Sequence, residues 1–208
     1  MKDLCKIDFK ELKKLYLSFN KISDIKVLEK VKYEKLEILD LSVNKISDIN
    51  ILEKVIFKEL KGIGLYKNNI SDINVLEKVK YEKLEILDLT GNKISDINIL
   101  EKVKFKGLKE LYLGNNNISD IKVLENVSFE NLEILDLRKN KISDINILEK
   151  VKFKELKKLN LYDNNISDIK VLENVKFEKL EILNLSGNKI SDNFIISRLK
   201  IKIKELII

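Results

Sequence analysis

The chain has 208 residues, 40 Lys and Arg against 34 Asp and Glu, a formal net charge of +6, and neither His, Pro nor Trp. Without histidine the commonest acid–base residue and the usual hydrolytic triad are missing, and the single cysteine, Cys5, excludes an internal disulfide framework. No apolar run approaches the ~18 residues of a membrane span, and the opening MKDLCKIDFKELKKLYLSF lacks the apolar centre of a signal peptide, so a cytoplasmic or otherwise intracellular protein is expected.

Along the chain, Leu4, Ile7 and Phe9 match Leu28, Val31 and Tyr33, which makes residues 1–11 the second half of a coil. From there a 24-residue unit recurs in phase, opening at Leu12, Leu36, Leu60, Leu84, Leu108, Leu132, Leu156 and Leu180. A fixed period of this size predicts a solenoid, in which each unit buries its apolar side by stacking on its neighbours. By the same register Cys5 falls in the column of Glu29, Glu53 and Glu77, which predicts an exposed thiol.

One unit, Leu36 to Glu59, gives the local structure. Leu39 and Leu41 have the period of two that points both side chains to one face of a strand, and strands of successive coils would pair in parallel. Asn44 follows, repeated from Asn20 to Asn188; an unpaired buried amide costs about 1–3 kcal/mol, so these side chains should bond the turn backbone of neighbouring coils. Ile46 and Ile49 continue the core, with Ser47 and Asp48 between them as a turn and an N-cap. Leu52, Val55 and Phe57 return to the core at spacings too irregular for a long helix, so one short helical or 3₁₀ turn and an extended stretch are expected. After Asp192 the spacing drifts, and Leu206–Ile208 reads as the start of a ninth strand.

The charged positions form columns. Lys10, Glu34, Lys58, Glu82, Lys106, Glu130, Lys154 and Glu178 alternate in sign, as do Lys13, Glu37, Lys61, Glu85, Lys109, Glu133, Lys157 and Glu181. Opposite charges in adjacent coils attract, so both columns are expected to be ion-paired ladders, and the alternation indicates a two-coil unit of duplication. The same-sign column from Glu29 to Glu173 fits the outer side of a curved stack, where distance and water weaken repulsion. The Asp column from Asp24 to Asp192 lacks the G-G-x-G-x-D-x-U-x pattern of calcium-binding repeats, so capping, and no metal, is expected.

Outward positions of the strands vary more. One column reads Tyr16, Asp40, Gly64, Asp88, Tyr112, Asp136, Asn160, Asn184; the next reads Ser18, Ser42, Tyr66, Thr90, Gly114, Arg138, Tyr162, Ser186, with Phe19 just beyond. Aromatic residues serve as anchors in protein interfaces. The candidate partner-binding residues are therefore Tyr16, Phe19, Asp40, Tyr66, Asp88, Tyr112, Asp136, Arg138 and Tyr162. Charges on this face nearly balance, which argues against the uncompensated basic stripe that nucleic acid requires.

The frame L-x-x-L-x-L-x-x-N-x-I, continued as I-S-D-I-x-x-L over Ile46–Leu52 and its equivalents, resembles the leucine-rich repeat family. The variant is similar to that of bacterial internalins and of the leucine-rich regulatory subunit of type one protein phosphatase. The resemblance implies an α/β solenoid: a right-handed superhelix with a parallel β-sheet on the concave face and short 3₁₀ or helical turns or extended segments on the convex face, all in a single domain over 1–208. It further implies a non-enzymatic scaffold that binds a protein partner through the concave face, with no cofactor, small-molecule substrate or membrane. End-to-end self-association through uncapped termini is the alternative.

Overall fold

The structure, a computed structural model, describes residues 10–208; Cys5 and the half-coil Leu4, Ile7 and Phe9 lie outside the described residues. Among these, nine three-residue strands form one open parallel sheet in chain order: β1 Lys14–Tyr16, β2 Ile38–Asp40, β3 Gly62–Gly64, β4 Ile86–Asp88, β5 Glu110–Tyr112, β6 Ile134–Asp136, β7 Lys158–Asn160, β8 Ile182–Asn184 and β9 Glu205–Ile207. Register follows the sequence period, with Leu15 opposite Leu39 and Leu39 opposite Ile63. Leu39 and Leu41, two residues apart, both point inward and are fully buried. A buried leucine contributes about 1.5–3 kcal/mol relative to exposure, and here the burial is supplied by the coils above and below.

On the side opposite the sheet each coil crosses in a 3₁₀ turn, such as Asn50–Glu53 or Asn98–Glu101. Asp48 does not act as the expected N-cap. Its Oδ1 accepts the Asn50 backbone N–H at 2.9 Å, two residues on, an Asx turn that precedes the helical turn. A column of rings follows in the core: Tyr33, Phe57 and Tyr81 have centroids 5.7 and 5.6 Å apart, and Phe105, Phe129 and Phe153 occupy the same buried position. The Tyr81 hydroxyl donates to the Leu52 carbonyl at 3.0 Å, and burial holds its pKa above the usual phenol range.

The asparagine column is bonded across coils. Nδ2 of Asn44 donates to the carbonyls of Leu17 and Leu41 at 2.9 and 3.0 Å, and its Oδ1 accepts from Ile22 N–H at 2.9 Å. The residue before each asparagine has a left-handed backbone: φ is 57° at Phe19, 54° at Val43, 50° at Lys67 and 72° at Gly91. That conformation bends the chain out of the strand while its N–H still reaches the next coil, as in Val43 to the Tyr66 carbonyl at 2.6 Å.

One of the two expected charge ladders forms. Glu37 lies 3.7 Å from Lys13 and 2.8 Å from Lys61, and the column continues with Glu85–Lys109 at 2.9 Å and Glu133–Lys157 at 2.6 Å. In the other column no ion pair joins Lys58, Glu82, Lys106, Glu130, Lys154 or Glu178 among the described residues. The pairing runs one residue further on, in Glu11–Lys35, Glu59–Lys83 and Glu155–Lys179 at 2.5–2.6 Å. Two alternating columns side by side look alike in sequence, and only one of them directs its side chains along the stack. The same-sign Glu column sits on the 3₁₀ turns and is partly neutralised by Lys78 on Glu53 and Lys150 on Glu125, at 3.2 and 3.6 Å.

The last coil departs from the repeat. Helix α1, Asn193–Lys202, replaces the 3₁₀ turn and is capped by Asp192, whose Oδ1 accepts from Ile195 N–H at 3.1 Å. Ile195, Ile196 and Leu199 are buried, while Arg198 reaches Glu173 at 3.0 Å. Strand β9 begins at Glu205, one residue before the expected start, because Ile182 pairs with Glu205 at a step of 23 residues rather than 24.

Candidate protein-binding face

The concave sheet presents the two residues that flank the buried middle one of each three-residue strand, both of them glycine in β3. Even-numbered strands keep one pattern: Ile38-Leu39-Asp40, Ile86-Leu87-Asp88, Ile134-Leu135-Asp136, Ile182-Leu183-Asn184. Odd-numbered strands differ from one another: Lys14-Leu15-Tyr16, Gly62-Ile63-Gly64, Glu110-Leu111-Tyr112, Lys158-Leu159-Asn160. All four tyrosines on or just after the concave strands (Tyr16, Tyr66, Tyr112 and Tyr162) belong to odd coils. Within the strands themselves, variation is therefore concentrated in the odd coils; just beyond them the even coils also differ, with Ser42, Thr90, Arg138 and Ser186.

The even-coil carboxylates have a local structural use. Oδ1 of Asp40, Asp88 and Asp136 accepts the backbone N–H of Ser42, Thr90 and Arg138 at 2.9, 2.9 and 3.0 Å. Asn160 and Asn184 do the same for Tyr162 and Ser186, both at 3.1 Å. Asp136 also faces Arg138 Nε at 3.2 Å through Oδ2. It is only 5% exposed, and burial holds its pKa above the usual Asp value despite the guanidinium. The stem of Arg138 lies across Gly114, where an added Cβ would stand 2.9 Å from its Cγ.

The aromatic residues differ in setting. Tyr16 and Phe19 are 61% and 81% exposed at the first described coil, Phe19 in the left-handed turn rather than on the strand. Tyr112 is half-buried; its hydroxyl donates to Glu110 at 2.6 Å on the same strand, and burial with the nearby carboxylates raises its pKa. Tyr66 and Tyr162 carry the amines of Lys67 and Lys139 over their rings, 5.2 and 5.8 Å from the centroids. Sequence reasoning did not select Glu110, Lys67, Lys139 or the half-exposed Ile86. Glu110 and Ile86 share the outward period of two with Tyr112 and Asp88, which was the available signal.

Among the described residues no group of three His, Cys, Asp or Glu is placed to hold a metal ion, and no helix is long and apolar enough to cross a membrane. A depression of about 850 Å³ is bordered by Val55, Ile56 and Lys58 and reaches Lys13 and Glu37, just before the strands β1 and β2, but includes no strand residue. It is an open gap between rows of Lys and Glu, with no convergent chemistry. The concave sheet is broad and continuous, a shape suited to a macromolecular surface or an extended segment.

Models of leucine-rich repeats match the chain, a two-copy model over residues 10–54, 106–150 and 154–197 and a single repeat over 82–97. The chain belongs to the leucine-rich repeat family. Among solved structures it is similar to an internalin, InlF, of Listeria monocytogenes, at 27% identity and a TM-score of 0.75, covering 95% of this chain and 61% of that one. Internalin C2 of the same species aligns at 24% identity and a TM-score of 0.79, over 95% of this chain and 81% of that one. A leucine-rich repeat protein of Leptospira interrogans aligns at 23% identity and a TM-score of 0.66, over 94% and 60%. No curated protein sequence matches the chain.

Proposed function

We propose that the protein is a non-enzymatic scaffold that binds a protein partner through its concave face. Tyr66, Tyr112 and Tyr162 anchor the partner, Tyr16 and Phe19 extend the contact at the first coil, and Asp40, Asp88, Asp136 and Arg138 set its orientation. The supporting observation is the division of the sheet: β2, β4, β6 and β8 keep Ile-Leu-Asp or Ile-Leu-Asn, while β1, β3, β5 and β7 carry Lys and Tyr, two Gly, Glu and Tyr, and Lys and Asn at the same positions. A sheet kept only for stability has no need of that difference. Tyrosine suits the anchoring role because its large surface is ordered at small entropic cost.

The test is capture from native lysate by the wild-type chain and by a Tyr66→Ala, Tyr112→Ala, Tyr162→Ala variant whose fold is checked by circular dichroism. Each anchor should contribute roughly 2 kcal/mol or more, so the folded triple variant loses the partner. Convex substitutions such as Glu101→Ala and Lys102→Ala leave binding unchanged. Retention by the triple variant together with loss on convex substitution rejects the reading.

A further inference from the structure

Helix α1 is apolar on two sides. Ile195, Ile196 and Leu199 are buried in the last coil, yet Phe194 is 68% exposed and Ile201 87%. At about 100° per residue, Phe194, Ser197 and Ile201 share the side of the helix opposite those buried residues. A helix that is apolar all round is ordinarily covered all round. Among the described residues no 3₁₀ turn carries an exposed large apolar side chain, so this outward stripe sets α1 apart from the turns it stands beside. Arg198 and Lys202 reach Glu173 of the preceding coil, which marks the stacking direction. Phe194 and Ile201 point out of the stack rather than along it.

The same segment is basic. Between Asp192 and Glu205 the chain carries Arg198, Lys200, Lys202 and Lys204 and no acid. Arg198 lies over the Phe194 ring, 5.6 Å from its centroid, and meets Glu173 at 3.0 Å. Lys204 meets Glu181 at 2.6 Å, whereas Lys200 and Lys202 take no ion pair among the described residues. By the helical period Lys200 flanks the apolar stripe on one side, and Arg198 and Lys202 flank it on the other.

We propose that α1 docks the protein on a membrane surface rich in anionic phospholipid, with Phe194 and Ile201 entering the headgroup layer and the flanking cations meeting lipid phosphates. This is adsorption on a surface and not a span. A specific protein interface buries about 800 Å² on each partner, which two apolar side chains do not supply. Headgroup docking needs less. An amphipathic helix lies in the interfacial plane with its apolar face about 5–10 Å deep, and basic residues beside it are drawn to the negative surface potential. The stems of Lys200 and Lys202 can run along the apolar layer while their amines stay in water. The site lies on the side of the coil opposite the sheet, so the concave face stays open to a partner, and the inference is independent of that reading.

The experiment titrates the chain with vesicles of phosphatidylcholine and phosphatidylserine in equal parts, and with vesicles of phosphatidylcholine alone. Phe194→Trp gives the chain its first tryptophan, and its emission should move to the blue on the anionic vesicles as the ring leaves water. Affinity for phosphatidylcholine alone should be at least about tenfold lower. In co-sedimentation, Phe194→Ser, Ile201→Ser should weaken binding to the anionic vesicles at least about tenfold, with circular dichroism unchanged because both side chains stand outside the core. Ser197→Glu, which sets a carboxylate between them, should weaken it likewise, and the tyrosine triple variant should bind as the wild type does. No binding to anionic vesicles, equal binding to both kinds, or indifference to both α1 variants overturns the inference. A concentration-dependent rise in mass without lipid, abolished by the double variant, overturns it in favour of a second copy of the chain. Loss of an acidic protein partner by the double variant, with no vesicle binding by the wild type, overturns it in favour of a protein. The concave-face reading stands in each of these cases.

Discussion

Asn92 Oδ1 accepts the backbone N–H of Ile70 at 3.0 Å, across the boundary between two coils. Nδ2 of the same side chain donates to the carbonyls of Leu65 and Leu89, both at 3.0 Å. One buried amide therefore satisfies three backbone groups that neither strand nor 3₁₀ turn can reach.

Replacing Asn92 by Ala should lower the unfolding free energy by about 1–3 kcal/mol, because the Ile70 N–H stays buried without its partner, while the Leu65 and Leu89 carbonyls keep only the amides of Asn68 and Asn116. Asn98 begins a convex 3₁₀ turn and is exposed; Asn98→Ala should cost under about 0.5 kcal/mol. Urea denaturation of the two variants measures the difference, and equal losses would reject the ladder as the cause.

Val43 has φ of 54°, a region that a β-branched residue adopts at a cost. At the same position other coils carry Asn115 and Gly91, which tolerate it. Val43→Asn should stabilise the chain by about 1 kcal/mol. The converse, Gly91→Val, should destabilise, since a Cβ there also stands 3.2 Å from Lys67 Cγ. Thermal denaturation of both variants tests the pair of signs.

Glu37 sits between Lys13 and Lys61, and the hydrogen bond and charge of Lys61 hold its carboxyl below the ordinary value of 4.5. The same bond holds Lys61 above 10.5. A lowered carboxylate stabilises above its unfolded pKa and loses that contribution as pH falls; a raised lysine stabilises below its unfolded pKa and loses it as pH rises. The melting temperature should therefore exceed that of Glu37→Gln most near neutral pH, and the gap should close below pH 4.5 and above pH 10.5. It should also shrink in about 1 M salt, where the Debye length is about 3 Å. A gap that ignores both pH and salt would show that packing, not charge, is responsible.

Asp136 has the opposite sign. Burial raises its carboxyl above 3.8, outweighing the backbone bond and charge of Arg138. An acid with a raised folded pKa destabilises the fold above that pKa, and the penalty disappears as pH falls below the unfolded value. Asp136→Asn, which can keep the bond to Arg138 N–H, should raise the melting temperature at neutral pH and make no difference below pH 3.8. A loss of stability at neutral pH would mean that the Arg138 pair outweighs desolvation.

The repeating features were legible because every copy states them again. The strand leucines, the asparagine amides and the 3₁₀ turn each follow from a spacing that only one backbone conformation accommodates. The left-handed turn was not legible at Phe19, Val43 or Lys67, since none of these residues prefers it; the asparagine bonds and the inter-coil N–H impose it. Helix α1 was missed because NFIISRLKIK breaks the period at the point where the repeat was the guide. On the concave face, alternation along each strand identified the outward positions. It could not show that Asp40, Asp88 and Asp136 bind their own backbone two residues on.

What the amino-acid order determined alone is the coil: its length, its inward leucines, its asparagine and the sheet that stacking these makes, because burying a repeated apolar stripe has one economical solution. Where two patterns were equally good on paper, the stack decided. Lys61 pairs with Glu37 while Lys58 forms no ion pair among the described residues, and Arg138 lies along Gly114 toward Asp136. Those outcomes depend on the direction of side chains in adjacent coils, a distance set between residues 24 positions apart in sequence and about 4.8 Å apart in space.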